Sequence, residues 1–286
     1  MKTALVISIC LTAAIYAIYL ALPALLARRG VWMRRRTKFG PALVFESQNA
    51  DGTKVRLLNV GGTFQSVCYV DKDLRYELAC EYHRAMACAL LDLRTSLGRP
   101  LSVLVIGGGG YSLTKWIISH MPHSTVEVVE IDPAMTQIAR EQFYLEDLIT
   151  EFDPSGARLK LVCEDGWNYL QADRRMYDVI VNDAFSGNRP LGPMRTDVGA
   201  RIVCEHLNEG GIYLANVRSA LEGKRSRPLD VALEAFSAAF SHVWLVPEWP
   251  DKPQERGNNT MIARNGSLNL DIENLRVMQS RAGEEA

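Results

Sequence analysis

No two of the six cysteines stand at metal-ligand or C-x-x-C spacing. Cys10, Cys68, Cys80, Cys88, Cys163 and Cys204 are scattered, several of them inside apolar runs. That reads as buried free thiols in a reducing compartment rather than a disulfide framework. The five histidines show no H-E-x-x-H or other paired pattern, so no metal site is expected. Acid is missing from residues 1–38, which hold seven Lys or Arg. Beyond position 38 the balance reverses to 25 basic against 33 acidic residues, a net of −8. The body therefore has no broad basic character, and nucleic acid is not an expected partner. With 48% apolar residues in 286, the chain can bury a substantial core.

Charge is also absent from Thr3 to Ala27, TALVISICLTAAIYAIYLALPALLA. As a helix this stretch spans about 37 Å, more than the roughly 30 Å hydrocarbon core of a bilayer. A secretory signal has a shorter apolar region and a positive start. Here only Lys2 precedes, while Arg28, Arg29, Arg34, Arg35, Arg36 and Lys38 follow. The expectation is a single-pass anchor in the inner membrane with the body on the cytoplasmic side. Pro23 is tolerable in such a helix.

Residues 42–71 read as short strands joined at Asp51-Gly52 and Gly61-Gly62, a small antiparallel sheet. Residues 72–96 read as one helix, because Leu74, Leu78, Tyr82, Met86 and Leu90 recur every four positions. From residue 101 apolar strands alternate with helices, starting at "LSVLVI", "TVEVVEI", "RLKLVCE" and "YDVIVND". This pattern implies an α/β fold with a mostly parallel sheet covered on both faces. "HVWLVPE" and "NTMIARN" lack a helix between them and are expected to close the sheet as an antiparallel edge hairpin. The tail from Glu273 is polar and is expected to fray.

Ligands in such sheets bind beyond the carboxyl ends of the strands, and candidate residues fall there in order. Gly107, Gly108, Gly109 and Gly110 follow the first strand and let the backbone turn tightly against a ligand. The G-x-G-x-x-G dinucleotide fingerprint fails at its third glycine, where Ser112 or Leu113 stands. A nucleoside without a pyrophosphate fits better. Glu130 ends the second strand, where a carboxylate accepts hydrogen bonds from ribose hydroxyls. Asp132 is placed to cap the helix opening at Pro133. Asp165-Gly166 follows the third strand, where the aspartate can accept from an adenine amino group, cap a helix, or do both. Asp183 ends the fourth strand, where a carboxylate favours a nearby sulfonium and can orient an amine or accept its proton. Together these positions suit adenosine plus a sulfonium-bearing chain.

The stretches FQSVCYVDKDLRYELACEYHR, VLVIGGGGYSLTKW, VEVVEIDP, CEDG, YDVIVNDAFSG and NVRSALEG resemble the polyamine aminopropyltransferases (spermidine synthases), in particular a divergent branch often joined to membrane helices. The resemblance implies a Rossmann-like, seven-stranded methyltransferase-type sheet preceded by a small antiparallel β-domain. The corresponding division is an anchor with basic flank over 1–38, the small sheet and helix over 39–98, a nucleoside-binding domain over 99–268 and a tail over 269–286. It further implies that Gln65, Tyr82 and His83 line the active site, with Asp183 catalytic. The implied co-substrate is decarboxylated S-adenosylmethionine or S-adenosylmethionine itself, without a metal. The acceptor would be a small molecule, an amine in the family, and a homodimer is common there. The departures are acidic. Gly110 stands where the family's glycine loop carries an aspartate, Ser186 replaces the second acid of the catalytic loop, and Arg84 stands where a glutamate follows Tyr-His. Aminopropyl transfer, methyl transfer and non-catalytic nucleoside binding all remain open at this point.

Overall fold

The computed structural model describes residues 2–49, 51–186, 189–190 and 192–280. Helix α1 (Lys2–Ala27) contains Pro23, and its stretch Cys10–Ala27 has a mean hydropathy of 2.0 and is not buried against the rest of the protein. Only Arg28, Arg29 and Gly30 separate it from β1 (Val31–Thr37). That strand lies in the expected basic flank and pairs antiparallel with β2 (Gly40–Gln48). β3 (Lys54–Val60) and β4 (Thr63–Tyr69) complete a four-stranded antiparallel sheet in sequential order. The backbone amide of Lys38, at the β1–β2 turn, donates to Asp132 Oδ2 at 2.5 Å and so fastens this sheet to the main domain.

Helix α2 (Glu81–Leu97) starts later than the periodicity suggests. The Asp71 side chain accepts from the Asp73 amide and closes a short 3₁₀ turn at Lys72–Leu74, leaving Leu74 exposed. Local side-chain bonding of this kind competes with helix. Beyond the break the stripe holds, and Met86, Leu90 and Leu93 are fully buried.

The main domain continues with β5 (Ser102–Ile106), α3 (Ser112–His120), β6 (Thr125–Val129), α4 (Pro133–Gln142), α5 (Leu145–Phe152), β7 (Leu159–Val162), α6 (Gly166–Ala172) and β8 (Tyr177–Asn182). Then come the two-residue strands β9 (Phe185–Ser186) and β10 (Arg189–Pro190), α7 (Asp197–Glu205), β11 (Leu207–Ser219), α8 (Arg227–Ala239), β12 (His242–Val246), β13 (Gly257–Arg264) and β14 (Arg276–Ser280). The sheet order is β14-β12-β13-β11-β8-β5-β6-β7. Strands β7, β6, β5, β8 and β11 are mutually parallel, whereas β13 runs antiparallel to both β11 and β12. This is the methyltransferase-type mixed sheet, with one correction: it has eight strands. The tail does not fray before Ser280, because Arg276–Ser280 pairs antiparallel with β12 and covers backbone groups that an edge strand leaves open. Residues 281–286 lie outside the described residues. The thiols also differ from expectation in part: Cys68 is buried, but Cys10 and Cys163 are exposed.

Candidate active site

Strand alternation builds the site. Val103 and Val105, Val126 and Val128, Val179 and Val181, and Ile212 and Leu214 all belong to the core on the α2 side of the sheet. Side chains two apart share a face. The next positions on that face are Gly107, Glu130, Asp183 and Asn216, and then Arg218. On the antiparallel β13 the same face runs from Ile262 to Thr260 and Asn258. The apolar face thus turns polar where the strands end, under the first turn of α2. Gly107, Glu130, Asp183, Asn216, Arg218 and Asn258 all border one cavity of about 710 Å³, inside the roughly 300–1,000 Å³ range of small-molecule sites. Gln65, Tyr82, His83, Gly108, Gly109, Gly110, Asp165 and Gly166 border it too, so the residues expected to bind the donor, together with Asp183, meet there.

Three donors converge on Asp183. Tyr82 donates its hydroxyl to Oδ2 at 3.3 Å, His83 Nε2 lies 3.0 Å from Oδ2, and Asn216 Nδ2 donates to Oδ1 at 2.9 Å. His83 Nδ1 and Asn216 Oδ1 are buried without a partner among the described residues. Such orphaned polar atoms are costly to keep, and here they lie beside the Asp183 carboxylate. Burial pushes the Tyr82 phenol well up. It also pushes the Cys80 thiol up to about 12, so this cysteine is a poor nucleophile at neutral pH.

The glycine loop is shaped by close approach. Gly107 has φ +98°, and a Cβ there would stand 2.6 Å from the Asp183 carbonyl oxygen. Glu130 grips the loop: Oε2 accepts from the Gly108 amide at 2.7 Å and the Gly109 amide at 3.4 Å, and Oε1 accepts from the Asp132 amide at 2.9 Å. Burial raises its carboxyl above the usual range, against the pull of these amides. Asp132 caps α4 through the Ala134 amide. Asp165 caps α6, its Oδ1 accepting from the Trp167 and Asn168 amides. Gly166 packs on Ile106, where any side chain would collide.

Sequence reasoning missed Asn216, Arg218 and Ser66. The first two carry a weak signal, polar residues at alternate positions of "IYLANVR". Ser66 carries none, because its role depends on how β4 meets the glycine loop. A Cβ on Gly110 would stand 2.9 Å from Ser66 Cβ and closer still to its hydroxyl. The space open to an aspartate at that position is taken. Gly187, the end of the catalytic-loop motif, lies outside the described residues.

Several known proteins are similar to this chain in sequence or in fold. The human eEF1A lysine and N-terminal methyltransferase is 37% identical over 124 residues, 40% of this chain but only 17% of that protein. The polyamine aminopropyltransferase of Neisseria meningitidis is 29% identical over 163 residues, 57% of each chain. The chain thus spans little more than half of the latter's length and a sixth of the former's. A probable spermidine synthase from Corynebacterium glutamicum superposes with a TM-score of 0.67 at 20% identity, covering 82% of this chain and 79% of that one. The spermine/spermidine synthase domain matches residues 80–252, more than half of the chain and most of the cavity wall. The chain therefore belongs to the spermine/spermidine synthase domain family, within the superfamily of transferases that use S-adenosylmethionine or its relatives.

Proposed function

We propose that this protein is a group transferase that binds S-adenosylmethionine and transfers its methyl group to an amine, working from the cytoplasmic face of the inner membrane. The observation that carries the choice of donor is Gly110 against Ser66. The amine-ended tail of the decarboxylated donor calls for an acid at that point, and Ser66 closes the space for one. A hydroxyl and the start of α3 face the loop instead, and a helix N-terminus favours a carboxylate. The 37% identity to a methyltransferase segment agrees with this.

The cradle suits an adenosyl group. Gly107 lets the backbone approach. Glu130 keeps a lone pair on Oε1 beyond its amide bonds, and Asp165 keeps Oδ2 beyond its cap. These residues would hold the ribose and the adenine amino group. Bound there, S-adenosylmethionine supplies an electrophilic methyl carbon, to which an amine lone pair bonds as the carbon–sulfur bond breaks and its electron pair leaves with sulfur. Tyr82, His83 and Asn216 fix the plane of Asp183, which orients the amine and takes up the proton it sheds. α1 supplies the anchor, and its length, hydropathy and basic flank support that placement.

Aminopropyl transfer is the second reading, favoured by the meeting of Gln65, Tyr82, His83 and Asp183 in one cavity as the resemblance implies. Calorimetry decides between them. Methyl transfer requires S-adenosylhomocysteine to bind at least about tenfold more tightly than 5′-methylthioadenosine, the worth of one good tail hydrogen bond. The reverse order overturns it in favour of aminopropyl transfer.

A further inference from the structure

We infer that the acceptor carries an anionic group, phosphate or carboxylate, beside its nucleophilic amine, and that Arg218 holds that group. The inference rests on the transferase reading above.

Arg218 follows Asn216 by two positions on β11, on the same face, so their Cα atoms lie roughly 7 Å apart. It is half-buried and borders the cavity. Its guanidinium has no hydrogen bond or ion pair among the described residues, whereas Arg84, at the start of α2, is paired with Glu81. None of the cavity's carboxylates bonds Arg218: Asp183 accepts from Tyr82, His83 and Asn216, Glu130 from three backbone amides, and Asp165 from the amides it caps. A further acid at the neighbouring strand, Glu248, is engaged as well. Glu248 Oε2 accepts from the amide of Asn258 at 2.6 Å and from its side chain at 3.2 Å, and Asn258 is the cross-strand partner of Arg218.

A half-desolvated guanidinium facing a cavity repels a dicationic acceptor such as a diamine. Its planar fork matches carboxylate or phosphate in bidentate fashion. On the other side of Asn216, the Asp183 carboxylate and the orphaned Asn216 Oδ1 are acceptors only, which suits the N–H groups of an amine. One strand therefore presents an amine site and an anion site one residue pair apart. That matches a short molecule with an amine at one end and an anion at the other. Such chemistry exists free in solution and on a zwitterionic lipid headgroup.

The test uses the full chain in nanodiscs with saturating S-adenosylhomocysteine. O-phosphoethanolamine, β-alanine and putrescine are titrated by calorimetry against wild type, Arg218→Gln and Arg218→Glu. S-adenosylhomocysteine titration of each variant first reports whether its donor pocket is folded. We expect at least one of the two anionic amines to bind wild type more tightly than putrescine, Arg218→Gln to weaken that binding tenfold or more, and Arg218→Glu to reverse the preference. Equal or tighter binding of putrescine to wild type, binding of neither anionic amine, or an unchanged affinity in both variants overturns the inference. Failure of S-adenosylhomocysteine to bind wild type overturns the transferase reading instead. A turnover arm with labelled S-adenosylmethionine then separates the sources. Label in lipid only when the nanodisc contains phosphatidylethanolamine assigns the headgroup, and label on O-phosphoethanolamine or β-alanine assigns a free acceptor.

Discussion

Strand β8 has one aspartate at its second position and is followed by another, and the two lead opposite lives. Asp178, at the amino end, is saturated. It accepts from both Arg99 terminal nitrogens at 2.8 and 2.7 Å, from the Ser102 amide at 2.9 Å and hydroxyl at 3.1 Å, and from Asn208 at 2.8 Å. Burial pushes its carboxyl up, but Arg99, the Ser102 amide and Asn208 outweigh that and hold it at about 2. Asp183, at the carboxyl end, faces a cavity, and two of its neighbours keep buried atoms unbonded. One end of the sheet is closed by hydrogen bonds. The other leaves buried polar atoms open beside a cavity.

The largest effect should come from Asp183→Asn, which keeps the shape and removes the charge. Turnover to S-adenosylhomocysteine should fall on the order of a thousandfold, while the unfolding free energy moves by less than about 1 kcal/mol. A large stability loss instead would make Asp183 a structural residue like its counterpart. Asp178→Asn should do the reverse and cost about 3 kcal/mol in urea unfolding, the low end for a broken buried pair because Arg99 is half-exposed. The folded-state pKa lies below the unfolded one, so this stabilisation is present above about pH 4 and is lost as pH falls toward 2. The variant should lack that acid-side slope.

Lys115 on α3 extends the comparison to a buried charge with one hydrogen-bond partner among the described residues, the Phe143 carbonyl. Burial lowers its ammonium to about 8. The unfolded chain then binds the proton more readily between pH 8 and 10.5. Wild-type stability should rise with pH across that window, by at most about 1.4 kcal/mol per pH unit. Lys115→Met should flatten that part of the curve, and an unaltered slope would mean the ammonium is better solvated than its burial implies. The smallest effect belongs to Asn216→Ala. As a positioning residue it should lower kcat about tenfold at an unchanged unfolding midpoint, and Asn216→Gln should recover part of the loss. Loss of stability without a change in kcat would return Asn216 to the core.

Much of the cavity wall was legible because glycine and acid at strand ends have few other reasons to recur in order. The sequence alone placed Gly107, Glu130, Asp165 and Asp183, and all four border the cavity. The start of α2 misled because an apolar period of four runs straight through a turn that Asp71 closes locally. β14 was hidden in a polar tail, since an edge strand needs only a neighbour with free backbone groups. Asn216 and Arg218 become readable once the register shows which face of β11 continues the core, and Ser66 only once β4 is laid on the glycine loop.

Arg28, Arg29 and Gly30 are all the slack between α1 and the first strand, a leash of at most about 10 Å. With α1 seated in a bilayer, the body rides at a fixed height and patrols a plane rather than a volume. Its working rate would then answer to how crowded the surface is with acceptor, and diluting the bulk solution would hardly slow it.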